Sequence, residues 1–195
     1  MSAARNLHED MYTYLRYCEE LDDGNRYEII DGVPYMMAAP AEQHQAILGE
    51  IFARLHTFLQ GRKCVVRLSP YDVRLAVYGE DIEDVINVVQ PDISVFCDKK
   101  KIDEKGGVAA PDIAIEILSP SSIQNDRYRK FRLYEKAGVR EYWIVDGANR
   151  TVEIFVLEKK KLKLRSVLLD DGIITSTVLK GLEINISDIF ADYNI

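Results

Sequence analysis

Apolar positions first recur at helical spacing: Met11, Tyr14, Leu15 and Cys18 predict a short amphipathic helix within residues 8–21. The period then changes. RYEIIDGVPYMM holds two short extended runs around Asp31-Gly32, a pair suited to a tight hairpin turn. Helical spacing returns over residues 41–60, where Ile47, Leu48, Ile51, Phe52, Leu55, Phe58 and Leu59 share one side and Gly61 ends the run. Strand-like segments follow at 63–68, 71–77, 88–96 and 112–119, the last two separated by the polar loop CDKKKIDEKGGVA. A helix is predicted over 122–137, with Ser121 or Ser122 as N-cap and Gly138 as its stop. EYWIVD at 141–146 reads as a strand returning beside the sheet. Beyond it, TVEIFVLEKKKLKLRSVLLDDGIITSTVL reads as a β-meander turning at Lys159–Lys161 and Asp171-Gly172, and LEINI as a last strand before the turn SDIF. With no repeat or linker, the order predicts one domain over 1–195, of α/β or α+β class with a mixed sheet.

Composition narrows the function classes. With 47% hydrophobic and 29% charged residues, the chain of 195 residues can bury a sizeable core. A net charge of −7 argues against a protein that coats nucleic acid non-specifically, although a local basic groove stays compatible with it. The three cysteines, Cys18, Cys64 and Cys97, lie far apart without metal-ligand spacing. They predict free thiols in a reducing compartment, with neither a disulfide framework nor a zinc site. MSAARNLHEDMYTYL has no apolar signal core, and no apolar run approaches the ~20 residues that span a bilayer. The expectation is a cytoplasmic protein with no membrane partner.

Strand alternation sorts the acids. In PDIAIEIL, Asp112, Ala114, Glu116 and Leu118 share one face, while Ile113, Ile115 and Ile117 share the core-packing face. In QPDISVF, Asp92, Ser94 and Phe96 share a face. If the two strands are neighbours, Asp92 and Glu116 converge, and a divalent cation would relieve their repulsion. Such hard oxygen ligands suit Mg²⁺ or Mn²⁺. The ordinary alternative is a Pro-Asp that starts a strand and a glutamate that faces solvent. Asp112 takes that ordinary role, since it lies about 13 Å along the strand from Glu116. On the next helix Lys130 falls within the apolar side with Ile123, Phe131, Tyr134 and Ala137. It either pairs with Asp126 at i,i+4 or reaches the carboxylates. His44 lies in the apolar stripe of the second helix, Glu50 faces its polar side, and Glu28 shares a strand face with Ile30.

A Pro-Asp followed by an acid-x-Lys on the next strand is the mark of the PD-(D/E)XK nuclease superfamily. Within it the chain resembles the Uma family of restriction endonucleases, through YEIIDG at 27–32, PAEQHQAI at 40–47, QPDISV at 90–95, PDIAIEILSPSS at 111–122 and DRYRKFRLYEKAGVREYWIVD at 126–146. The resemblance implies a restriction-endonuclease-like αβββαβ core with a mixed central sheet, here joined by an N-terminal helix-hairpin and a C-terminal β-meander. It further implies Mg²⁺- or Mn²⁺-dependent hydrolysis of nucleic acid, with DNA the expected substrate. Asp92, Glu116 and the carbonyl of Ile117 would hold the ion, with Glu28 as a further ligand. The superfamily lysine position holds Leu118, and Lys130 is its candidate replacement from the helix. His44, Arg127 and Arg67 are candidates to contact substrate phosphate. Two other readings stay open. One is a catalytically inactive module that binds nucleic acid or protein, which Leu118 and the acidic charge favour. The other is a two-carboxylate hydrolase acting on sugars, which leaves Lys130 unused. A homodimer is compatible with cleavage of both strands, with EYWIVD or the C-terminal meander as its interface.

Overall fold

The computed structural model describes residues 11–21, 23–169 and 171–191. In chain order the elements are α1 (Tyr14–Glu20), β1 (Tyr27–Ile30), β2 (Val33–Met36), α2 (Glu42–Leu59), β3 (Val65–Leu68), β4 (Val73–Arg74), β5 (Val88–Val89) and β6 (Ile93–Phe96). They continue as β7 (Ile102–Asp103), β8 (Gly106–Gly107), β9 (Ile113–Ile117), a π-helical segment Asn125–Lys130, α3 (Phe131–Ala137), β10 (Glu141–Asp146), β11 (Thr151–Glu158) and β12 (Lys161–Leu169). β13 (Ile173–Thr175), β14 (Glu183–Asn185) and α4 (Ile186–Ile189) close the described chain. The first predicted helix starts later than its apolar pattern suggested, because the Thr13 hydroxyl accepts the Arg16 N–H and caps it there; residues 8–10 lie outside the described residues.

The hairpin forms where Asp31-Gly32 predicted it, with φ of 49° and 76° at the two turn residues. That left-handed pair matches the twist of the flanking strands. α2 buries Ile47, Leu48, Ile51, Leu55 and Leu59 along one stripe, as its spacing required. Six strands then make a mixed sheet in the order β12-β11-β10-β9-β6-β3. Only β9 and β10 run parallel, joined by the crossover through α3. The core α2-β3-β6-β9-α3-β10 is therefore the expected αβββαβ arrangement. Ile93 and Val95 of β6 and Ile113, Ile115 and Ile117 of β9 join the α2 stripe in one apolar cluster. Each isoleucine withdrawn from water there contributes roughly 1.5–3 kcal/mol. The other face carries Ala114, Tyr142 and Ile144 against Leu133 and Tyr134 of α3.

A second sheet, in the order β2-β1-β5-β4-β8-β7, is where the pattern alone fell short. The predicted strand 88–96 breaks at Gln90-Pro91-Asp92, and its two halves join different sheets. Pro91 has no N–H to continue a ladder. The predicted strand 71–77 keeps only Val73–Arg74 in regular pairing. The polar loop after β6 is not irregular throughout: it folds into the β7-β8 hairpin. Gly106 permits this, since a Cβ there would lie 2.2 Å from the Asp72 carbonyl oxygen and its φ is 140°.

Three further expectations change. Cys64 and Cys97 form a disulfide rather than remaining free, because β3 runs antiparallel to β6 with Val65 opposite Phe96, which brings the adjacent cysteines together. The sequence separation of 33 hid that contact. Cys18 is the free thiol. EYWIVD does not supply a dimer interface: as β10 it lies between β9 and β11, with five of its six residues buried. Ser122 does not cap the helix; its hydroxyl accepts the Ser119 N–H. Gly138 ends α3 as predicted, with φ of 86°. Buried Glu141 accepts the Trp143 indole N–H and both the N–H and hydroxyl of Thr177, which fastens the C-terminal segment to β10. Among the described residues no helix is long and apolar enough to cross a membrane.

Candidate functional site

The break at Pro91 builds the site. β6 and β9 pair with Ile93 opposite Ile115, and one residue further along that antiparallel register Asp92 faces Glu116. The Asp92 N–H, free of any ladder, points to Glu116 Oε2 at 3.5 Å. On the other side of the break the Gln90 N–H donates to Glu28 Oε1 at 2.8 Å. One proline thus places three acids from β1, the β5-β6 break and β9 around a common floor.

Asp92 is held in a fixed orientation. Its Oδ2 accepts the Ile117 N–H at 2.8 Å and lies 3.1 Å from His44 Nε2, at the start of α2. Its Oδ1 has no protein donor among the described residues. Glu116 is held through the opposite oxygen: Oε1 accepts the Tyr134 hydroxyl at 2.6 Å and lies 3.0 Å from Lys130 Nζ. The lysine reaches Glu28 Oε1 at 2.8 Å and Asp126 Oδ1 at 3.4 Å as well. Pairing with Asp126 and reaching the strand carboxylates are therefore simultaneous. Lys130, Glu28, Glu116 and Asp126 are all buried. Leu118, at the superfamily lysine position, packs into the apolar cluster around α3 instead.

Burial raises the Glu116 carboxyl well above its usual range; Lys130 opposes this, while Asp126, Asp92 and Glu28 add to it. Glu28 is raised for the same first reason, again against the pull of Lys130. For Lys130, burial works to lower the ammonium, but Glu116, Glu28, Asp126 and Asp92 lift it well above normal. It is a permanent cation at any physiological pH. The Tyr134 phenol is pushed well above its usual value by burial and then by Glu116, so it remains a hydrogen-bond donor.

Glu28, Asp92, Glu116, Asp126 and Lys130 line a cleft of about 500 Å³, bounded by Met36–Ala41 and the loop Ser119–Ser122. Three carboxylates contact one buried lysine, and Asp92 adds a fourth acid to the same cleft. Among the described residues Asp92 Oδ1 has no donor, and Glu116 Oε2 has only the long contact to the Asp92 N–H. Among the described residues no three His, Cys, Asp or Glu side chains converge as a metal cage. Two carboxylate oxygens on a water-accessible cleft do suit an ion that keeps several waters, as Mg²⁺ does. The donor set fits that ion class.

Of the sequence candidates, Asp92, Glu116, Ile117, Lys130, Glu28 and His44 all line this cleft. Arg127 and Arg67 do not. Arg127 forms a two-point ion pair with Glu153 on β11, at 3.0 and 2.9 Å, and Arg67 donates to the Val66 carbonyl on its own strand. Asp112 accepts the Cys97 N–H, Arg140 and Lys101, away from the cleft. Sequence reasoning missed Tyr134 and Gln90. Tyr134 was visible as i+4 from Lys130, and so on the same helix face, but a tyrosine on an apolar stripe reads as core. Gln90 joins Arg26 to Asp72 through its side chain and carries no signal in sequence.

The family model Uma2, described as "Putative restriction endonuclease", matches residues 11–187. The uncharacterized protein slr1290 of Synechocystis sp. is 26% identical over 131 residues, which cover 67% of this chain and 65% of that protein. The match thus spans slightly less than two-thirds of the relative's length. The crystal structure of a "putative nuclease belonging to DUF820" from Anabaena variabilis superposes with a TM-score of 0.74 at 22% identity, covering 92% of this chain and 98% of that one. At that identity the likeness establishes the shared fold.

Proposed function

The chain belongs to the Uma2 family of nuclease-fold proteins, and from that premise we propose that it hydrolyses phosphodiester bonds of DNA with Mg²⁺ or Mn²⁺ held by Asp92 and Glu116. One observation carries the reading: Asp92 and Glu116 face each other across adjacent strands, with Lys130 Nζ 3.0 Å from Glu116, in an open cleft. The ion, when bound, supplies polarisation of the scissile phosphate and activation of water. Asp92 Oδ1, Glu116 Oε2 and the Ile117 carbonyl would hold it.

The chain's own residues do the rest. The Ile117 N–H and His44 hold Asp92 so that its unpaired oxygen faces the cleft. Tyr134 and Lys130 fix Glu116 from behind and leave the second oxygen for the ion. Lys130, already held as the ammonium by the acids around it, is no proton acceptor and instead stabilises negative charge developing on the phosphate. Glu28 and Asp126 anchor that ammonium, so Glu28 acts on the lysine rather than as a further ligand.

A specific observation favours the rival, inactive module: Lys130 and Tyr134 already satisfy one oxygen of Glu116. Calorimetric titration with Mn²⁺ and a plasmid-cleavage assay separate the readings. Binding and cleavage present in the wild type, with binding lost in Asp92→Ala and cleavage lost in Glu116→Ala, support the nuclease. A folded wild type that binds no Mn²⁺, or a Glu116→Ala variant that cuts as before, rejects it.

A further inference from the structure

The same helix that sends Asp126, Lys130 and Tyr134 inward presents a different chemistry outward. Tyr128, Arg129, Arg132 and Lys136 face a pocket of about 280 Å³ whose opposite wall is Tyr35 of β2 and Tyr78 of the β4-β5 connection. Tyr78 and Tyr128 are 57% and 64% exposed, far more than a packing role requires. The Asp31 carboxylate accepts the Tyr78 hydroxyl at 2.8 Å and so fixes that ring. The Arg129 guanidinium lies 4.9 Å from the Tyr35 ring centroid, and Lys136 Nζ lies 3.2 Å from that of Tyr78. None of Arg129, Arg132 and Lys136 is paired with a carboxylate among the described residues. On a chain with 32 acidic and 25 basic side chains this is a local reversal of sign.

The pocket adjoins its neighbours. Tyr35 is a wall of both this pocket and the acidic cleft. At the far end Arg132 and Lys136 also line a second groove, which adds Lys160 and an ion pair of Lys161 with Glu135 at 2.7 Å. A basic strip with tyrosine rings along it therefore runs from the mouth of the cleft towards the β11-β12 turn. Its chemistry selects a polyanion that carries planar rings: cations to track a phosphate backbone, aromatic faces for bases to stack on. A base inside a duplex has both faces covered by its neighbours and cannot enter such a slot. We propose that this strip binds a single-stranded stretch of the polynucleotide whose phosphodiester lies in the cleft, with one unpaired base stacked at Tyr78 and Tyr128 and adjacent phosphates on Arg132 and Lys136. The inference rests on the nuclease reading for the identity of the polymer.

The test uses the full chain in chelator, so that nothing is cut, and follows the fluorescence anisotropy of a labelled oligo-dT and of a duplex of equal length. The single strand should bind more tightly. Tyr128→Ala should weaken it by roughly 5- to 150-fold, the range for loss of one stacked base. Arg132→Glu should weaken it too and reduce the slope of log K against log salt by about 0.7. Both side chains are exposed, so both variants keep the fold. Lys163→Glu, the same charge change off the strip, should have much less effect than Arg132→Glu. Equal binding of duplex and single strand, wild-type binding by Tyr128→Ala, or an equal effect of Lys163→Glu overturns the proposal. A wild type that cleaves DNA while the strip variants bind normally rejects the strip alone. Binding that depends on the strip, in a protein that cuts nothing, rejects the nuclease reading and leaves the strip standing.

Discussion

Lys130→Met keeps a straight, helix-compatible side chain of similar bulk and removes the one cation shared by Glu28, Glu116 and Asp126. The ammonium lies 2.8, 3.0 and 3.4 Å from oxygens of these three acids. At an effective dielectric of about 20, each such pair amounts to roughly 5 kcal/mol of attraction, most of which offsets the desolvation of the buried charges. Without the lysine the acids face one another uncompensated, and the expected net loss of stability is about 3–5 kcal/mol. The variant can recover part of it by taking up protons. Burial already raises Glu116 and Glu28 above their ordinary value of 4.5, against the pull of Lys130, and its removal raises both further. A carboxyl whose folded pKa exceeds its unfolded one adds stability below the unfolded value and loses it as pH rises through the folded value. The deficit relative to wild type is therefore greatest at neutral and alkaline pH and narrows on acidification. Urea unfolding in chelator measures it, followed by the fluorescence of Trp143, the one tryptophan and fully buried. A deficit under about 1 kcal/mol, or one that is the same at neutral and mildly acid pH, would refute the assignment of Lys130 as the shared counter-ion.

Tyr134→Phe removes a donor 2.6 Å from Glu116; it should lower stability by about 1.5–3 kcal/mol in urea unfolding and slow cleavage less than Glu116→Ala does. For Asp112, burial works to raise the carboxyl, but the Cys97 N–H, Arg140 and Lys101 together hold it below 3.8. Its contribution is thus present above that value and lost as pH falls through the lower folded one, so the gap between wild type and Asp112→Asn should be open at neutral pH and close in acid. Reducing the Cys64–Cys97 bridge, whose ends are separated by 33 positions in sequence, should lower stability by roughly 2–4 kcal/mol. Before reduction, thiol labelling of the unfolded chain should find Cys18 alone.

Local periodicity made much of this legible. The α2 stripe and the Asp31-Gly32 hairpin are properties of short windows, and both formed where they were expected. The meeting of Asp92 and Glu116 followed from strand alternation once β6 and β9 were taken as neighbours. Lys130 stood out because a charge on an apolar stripe requires a partner. What stayed hidden depends on contacts distant in the chain. Nothing local says that residues 88–96 serve two sheets, since a short apolar run looks the same in either. The Cys64–Cys97 contact exists only through the β3-β6 register. Arg127 resembles a phosphate contact until β11 brings Glu153 beside it. Tyr134 packs like any core tyrosine, and only its hydroxyl, aimed at an acid from another element, belongs to the site.

The π-helical segment Asn125–Lys130 has a consequence for chain length. A π turn closes its hydrogen bonds one residue further along than an α turn, so it accommodates one extra residue without moving the helix on either side. Removing one outward residue from this segment would restore a regular α-helix and leave α3 and the chain before Asn125 in place. Asp126 and Lys130 of the segment are buried, and they would pass from four residues apart to three, still on one helix face. Loss of one residue here should therefore leave the cleft assembled, whereas the same loss within α3 would rotate Tyr134 away from Glu116 by about 100°.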